Sequence, residues 1–242
     1  MNLEASPIGL PGAAHLLVFA LLLPLAAMRT RHRLRHLDLP SRRAHFLGVL
    51  AQQLLFLLAS LWVAAREGIL LFPRFAPSAG NLILGAAVTT ALVLTLRGEW
   101  RRSVEARTRA AYLFMPWDAA ERGLWLSVAA AAAVAEEVTY RAVAVTLFGR
   151  LVGSPVLAVT LAAAAFGFAH GVQGPRSAIG AVGAALIFHG LVFLTGGLYV
   201  AIAVHFAYDL IAGLCYARLG KALGYPRDGF PPENPEPRLA SA

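Results

Sequence analysis

The 242-residue chain is 58% hydrophobic and only 14% charged, with a mean hydropathy of +0.65. A soluble domain carries about a quarter charged residues, so a soluble globular enzyme is excluded, and the length suits roughly six to eight spans of about 20 residues. The formal net charge of +8 does not mark a nucleic-acid binder, because the basic residues lie in loops between apolar runs, where positive charge fixes membrane orientation.

In chain order, the apolar runs predict helices over Ile8 to Met28, His45 to Ala65, Asn81 to Leu96, Leu124 to Phe148, Ser154 to His170, Ile179 to Leu194 and Leu198 to Tyr216. Each is helical because lipid offers no partner to an open backbone. The expected fold class is therefore all-α. It is a polytopic integral membrane protein of about seven transmembrane helices (six to eight) around a polar intramembrane cavity. The fifth and sixth runs are short and glycine-rich, which suits a tilted, kinked or re-entrant path.

The first residues, MNLEASPIG, hold an acid and no base, unlike a signal peptide. They predict a retained first span entered from outside. One set of alternate loops holds seventeen basic residues and the other only Arg66, Arg74 and Arg150. The expected orientation is thus N-terminus outside and C-terminus cytoplasmic, and the Arg- and Ala-rich, Lys-poor make-up suggests a multi-pass protein of a bacterial cytoplasmic membrane. The loop from Arg97 to Gly123 reads either as an amphipathic helix at the interface or as a solvated charged loop. Tyr225 to Ala242, with DGFPPENPEP, reads as a disordered extension. The single cysteine, Cys215, permits no intrachain disulfide and suits a packing role. Three regions result: N-terminal helices and basic loops over 1–123, core helices over 124–216, and a Pro-rich cytoplasmic tail over 217–242.

The apolar helices of the core carry residues that lipid penalises. Glu136, Glu137 and Arg141 lie in AAAVAEEVTYRAVAV, Phe166 and His170 in LAAAAFGFAHG, and His205 and Asp209 in LYVAIAVHFAYDLIAGL. Intramembrane ionisable groups mark function by default. Glu137 and Arg141, four apart, can pair on one helix face, leaving Glu136 as the freer carboxylate and a general base. His170 shares a face with Phe166, and Gly167 and Gly171 let another backbone come close. His205 and Asp209 are also co-facial: a catalytic imidazole with its orienting acid, two metal ligands, or a hydrogen-bonded pair. His189, in FHG, reads as a packing residue. No HExxH, GxSxG or GxGD occurs. The set suits activation of a water for hydrolysis inside a membrane.

EEVTYR, FGFAH and HFAYD occur in the order EExxxR, FxxxH, HxxxN/D. They resemble the CPBP (Abi) family of intramembrane proteases, whose type II CAAX prenyl endopeptidases are the best-known branch. The resemblance covers about Leu124 to Leu214. It implies an intramembrane endopeptidase that cuts membrane-associated proteins or peptides. In it Glu136 and His170 hold and activate the water, His205 and Asp209 stabilise the oxyanion, and Glu137 and Arg141 shape the site. An ionised Asp209 cannot donate to an oxyanion as the family's Asn does, so it is protonated, orients His205 or serves as a ligand. The family is described both as metal-dependent and as metal-free. Glu136, His170 and His205 form a set that can hold zinc, and the metal-free version is preferred. The expected partners are the substrate and the bilayer, with no nucleic acid; the sequence assigns no oligomeric state. A non-catalytic membrane scaffold or immunity-type protein retaining the fold is the alternative. A proton- or ion-coupled transporter ranks below both, because the polar groups are not repeated in the N-terminal half.

Overall fold

The computed structural model describes residues 7–33, 39–72 and 76–229. Every element among them is helical: α1 (Leu10–Leu16), α2 (Leu23–Arg33), α3 (Arg42–Glu67), α4 (Ala79–Glu105), α5 (Arg109–Leu113), α6 (Ala119–Glu136), α7 (Val145–Val152), α8 (Pro155–Ala169), α9 (Pro175–Thr195) and α10 (Leu198–Ala222). A π-helical segment, Leu17–Leu22, joins α1 to α2, and a second, Glu137–Ala144, joins α6 to α7. A 3-10 turn, His170–Gln173, follows α8. The protein is a polytopic, all-α membrane protein.

Six helical stretches are long and apolar enough to cross a membrane: Leu10–Arg31, Arg42–Glu67, Ala79–Glu105, Pro155–Gln173, Pro175–Thr195 and Leu198–Ala222. The seventh expected span, Leu124 to Phe148, falls inside the unbroken helical run 119–152. That run is about 50 Å long at the usual helical rise. Its middle carries Glu136, Glu137 and Arg141, and α3, α8 and α10 pack around it.

Burial follows the rule for lipid rather than water. Leu55, Leu58, Ile83, Phe193 and Leu194 face outward. The interior instead holds small residues, Ala133, Ala135, Ala158, Ala162 and Ala163, with fully buried Glu137 and Thr139. Lipid tails are as apolar as Leu, so close contact between small residues and buried polar contacts join the helices. Gly167 shows the closeness: a Cβ there would come within 2.2 Å of the Val182 side chain on α9.

Both ends of the bundle are tied by charge. At the basic end, Asp118 caps α6 by accepting from the Glu121 backbone N–H at 2.8 Å, and Glu121 accepts from Trp117 N–H at 2.7 Å. Arg43 and Arg227 approach Asp118 at 2.8 and 3.2 Å, and Arg42 approaches Glu121 at 3.1 Å. The Arg42 guanidinium lies over Tyr112 and Trp117 and donates to the Arg227 carbonyl. At the other end, Glu67 accepts from the backbone N–H groups of Gly9 and Gly12 at 3.3 and 3.0 Å, and Arg150 approaches it at 3.1 Å. A carboxylate at a helix N-terminus complements the helix dipole.

Two sequence expectations change. The Arg97–Gly123 region is neither one interfacial helix nor a loop: α4 continues to Glu105, and α5 buries Ala111, Tyr112 and Leu113. The expected C-terminal extension does not begin at Tyr225, and α10 reaches Ala222, inside the region assigned to the tail. Tyr225 is buried and donates its hydroxyl to the Val104 carbonyl at 2.7 Å. Residues 230–242, the rest of the expected extension, lie outside the described residues.

Candidate active site

Glu136 sits near the middle of the helical run 119–152, about 25 Å along the axis from either end. It is the last residue of α6, and Glu137 opens the π segment. π segments occur often at functional sites. Here the wide turn carries both Glu137 and Arg141 inward, their side chains wholly buried.

Helix α10 supplies His205 and Asp209. His205 Nδ1 lies 2.8 Å from Glu137 Oε1. An ionised carboxylate only accepts, so Nδ1–H donates and Glu137 fixes the ring. His205 Nε2 then faces two other acids, Glu136 Oε2 at 3.8 Å and Asp209 Oδ2 at 3.5 Å. Three of the expected residues, Glu136, Glu137 and Asp209, thus converge on a fourth, the His205 imidazole. Glu136 and Asp209 keep 15% and 26% of their side-chain surface exposed. Glu137 and Arg141 keep none. The first pair is accessible to a reactant and the second is not.

Arg141 approaches Glu137 Oε2 at 3.3 Å. Its guanidinium lies over the rings of Phe166 and Phe188, at 4.2 and 5.2 Å from their centroids. Cation–π attraction strengthens when the cation is desolvated. Phe188 also stacks on the His205 ring, with centroids 5.3 Å apart and planes at 21°. In this chain the Phe166 ring of the FxxxH motif thus seats the buried guanidinium.

His170 stands at the break between α8 and the 3-10 turn, half-buried. Its ring lies against Phe166, with centroids 4.4 Å apart. Its Nδ1 is 2.8 Å from the Phe166 carbonyl oxygen, so Nδ1–H donates and Nε2 is left as an acceptor. His170 therefore meets the cluster through the Phe166 ring; its described contacts include no bond to Glu136. His189 is buried, and its Nε2 has no hydrogen-bond partner among the described residues.

Among the described residues no three His, Cys, Asp or Glu side chains gather as a metal-holding group.

Three contacting residues do not stand out in the sequence. Gln53 of α3 donates Nε2–H to Glu136 Oε1 at 2.7 Å. Its signal is a polar side chain in an apolar span, less conspicuous than an ionisable one. Trp125 of α6 donates Nε1–H to the Asp209 carbonyl at 3.1 Å. This contact needs Gly213, where a Cβ would come within 2.2 Å of the indole Nε1. Phe188 is the third; nothing in its sequence separates it from other apolar residues.

All three motifs fall within residues 119–211, and that stretch matches the family model described as type II CAAX prenyl endopeptidase, Rce1-like. The matched stretch is similar to that family and covers less than half of the chain. The CAAX-protease-like resemblance read from the motifs therefore stands. No curated protein and no solved structure matches the chain. The Rce1-like stretch contains Glu136, Glu137, Arg141, Phe166, His170, His205 and Asp209, whereas Gln53 lies outside it.

Proposed function

We propose that the protein is an intramembrane endopeptidase that hydrolyses peptide bonds of membrane-associated proteins or peptides. The observation that carries this reading is the accessible Glu136 carboxylate facing an imidazole, His205, that a second, buried carboxylate holds in place. Glu136 Oε2 removes a proton from a water, and the water oxygen bonds to the scissile carbonyl carbon. The negative charge that develops on the carbonyl oxygen is met by the Nε2–H of a protonated His205. Asp209 Oδ2 and Glu136 Oε2 lie 3.5 and 3.8 Å from that Nε2. When the C–N bond breaks, Glu136 returns its proton to the leaving amine.

In this reading Asp209 orients His205 instead of touching the oxyanion. His170 Nε2 is the further acceptor for the water, consistent with the CAAX-protease-like motif. The Glu137–Arg141 pair holds the geometry. The site lies mid-bilayer in a multi-pass protein of the cell membrane, its basic loops and C-terminus cytoplasmic by the charge rule.

The test is cleavage by the purified protein in nanodiscs of internally quenched peptides, farnesylated and unmodified. Glu136→Ala and His205→Ala lose turnover, by about a hundredfold or more, while both still insert and fold. Undiminished cleavage by Glu136→Ala overturns the role given to Glu136, and a wild type that cuts neither peptide returns the chain to the scaffold reading.

A further inference from the structure

The contact between Gln53 and Glu136 crosses from the N-terminal helices into the Rce1-like core. Gln53 lies mid-way along α3, in AQQLLFLL, and is only 6% exposed, whereas the adjacent Gln52 faces outward. Its amide orientation follows from chemistry: a carboxylate accepts and cannot donate, so the NH2 group faces Glu136 and the carbonyl points away. That carbonyl, Oε1, is itself buried with no hydrogen-bond partner among the described residues.

We infer that Gln53 is a positioning residue for the general base Glu136. Its N–H holds Glu136 Oε1, so that Oε2 is the oxygen turned toward His205. Held in this rotamer, Glu136 Oε2 is the oxygen that takes the water proton as the carbon–oxygen bond forms. This rests on the endopeptidase reading above, and it gives the N-terminal helices a part in the chemistry that the motifs alone do not.

The experiment compares Gln53→Leu, Gln53→Glu, Gln52→Leu and Glu136→Ala in nanodiscs, with an internally quenched farnesylated peptide as the probe. Gln53→Leu, close in shape but without donor or acceptor, loses about 10- to 100-fold in kcat with KM unchanged. Gln53→Glu keeps the size, loses the donor and falls at least as far. Gln52→Leu matches the wild type, and Glu136→Ala is inactive. A second readout needs no substrate: an experimental structure of Gln53→Leu shows the Glu136 carboxylate turned away from His205. Wild-type kcat in Gln53→Leu, or an unmoved Glu136, overturns the inference even where Glu136→Ala is dead. Active Glu136→Ala counts instead against Glu136 as the base, a wild type that cuts no probe counts against the endopeptidase reading, and the position of Glu136 then decides the role of Gln53.

Discussion

Glu137 divides its two oxygens between a cation and an imidazole: Oε2 faces Arg141 at 3.3 Å, and Oε1 meets His205 Nδ1 at 2.8 Å. One fully buried carboxylate thus joins an ion pair in its own helical run to the ring that Glu136 and Asp209 flank. Breaking one partner of a buried pair is far more harmful than removing both.

Glu137→Leu leaves Arg141 buried and unpaired. It destabilises the protein by about 3–5 kcal/mol. The double variant Glu137→Leu, Arg141→Leu recovers most of that stability but none of the activity, because His205 still lacks its acceptor. Thermal unfolding in detergent, read by a thiol-reactive dye on Cys215, checks the first half. The peptide cleavage assay checks the second.

Phe166→Leu keeps an apolar side chain but removes a ring over Arg141 and against His170. The lost cation–π contact lowers stability by about 1–2 kcal/mol. Phe166→Tyr keeps the ring face and stays closer to the wild type in melting temperature. An equal fall in both variants would contradict the guanidinium-seating role.

Gly213→Ala introduces a methyl where the Trp125 indole now lies. The indole is rigid, so α10 and α6 must separate by a few tenths of an ångström or more. Overpacking of this kind destabilises by about 1–3 kcal/mol. Cleavage falls with it, since Trp125 bonds the carbonyl of Asp209. The paired variant Gly213→Ala, Trp125→Phe recovers folding and shows whether the clash is the cause.

Asp118 makes the basic end sensitive to acid. The Glu121 backbone N–H first, and then Arg43, hold its carboxyl at about 2, below the usual 3.8. A depressed acid stabilises the folded state above its unfolded value and loses that contribution as pH falls through the folded one. This group's share is therefore complete above about 3.8 and fades toward about 2. Asp118→Asn removes that part of the acid dependence of melting between these values, and a melting curve with the wild-type slope would exclude the assignment.

The membrane class and the co-facial pairs were legible because each follows from one helix alone. Hydropathy marks the spans, and a spacing of four sets Glu137 against Arg141 and His205 beside Asp209. What joins helices to one another was less legible. The bond from Glu137 to His205 spans 68 positions, and no periodicity announces it. Gln53 is inconspicuous because neutral amides do not stand out against apolar neighbours as charges do. The Arg97–Gly123 region misled because its charges resemble those of a loop. In fact Arg101 pairs with Glu105 and Arg102 with Glu99 along a continuing helix.

The second π segment has a consequence for the whole active helix. A wide turn of this kind acts as one extra residue in an α-helix, and one residue corresponds to about 100° of rotation. The lipid-facing stripe of α6 and that of α7 are therefore out of phase, and the helix changes which side it shows its neighbours half-way across. Shortening Glu137–Ala144 by one residue would bring the two halves back into step. It would then swing either the catalytic carboxylate or the buried guanidinium toward hydrocarbon, so the local loss of regular winding is what allows both to face inward together.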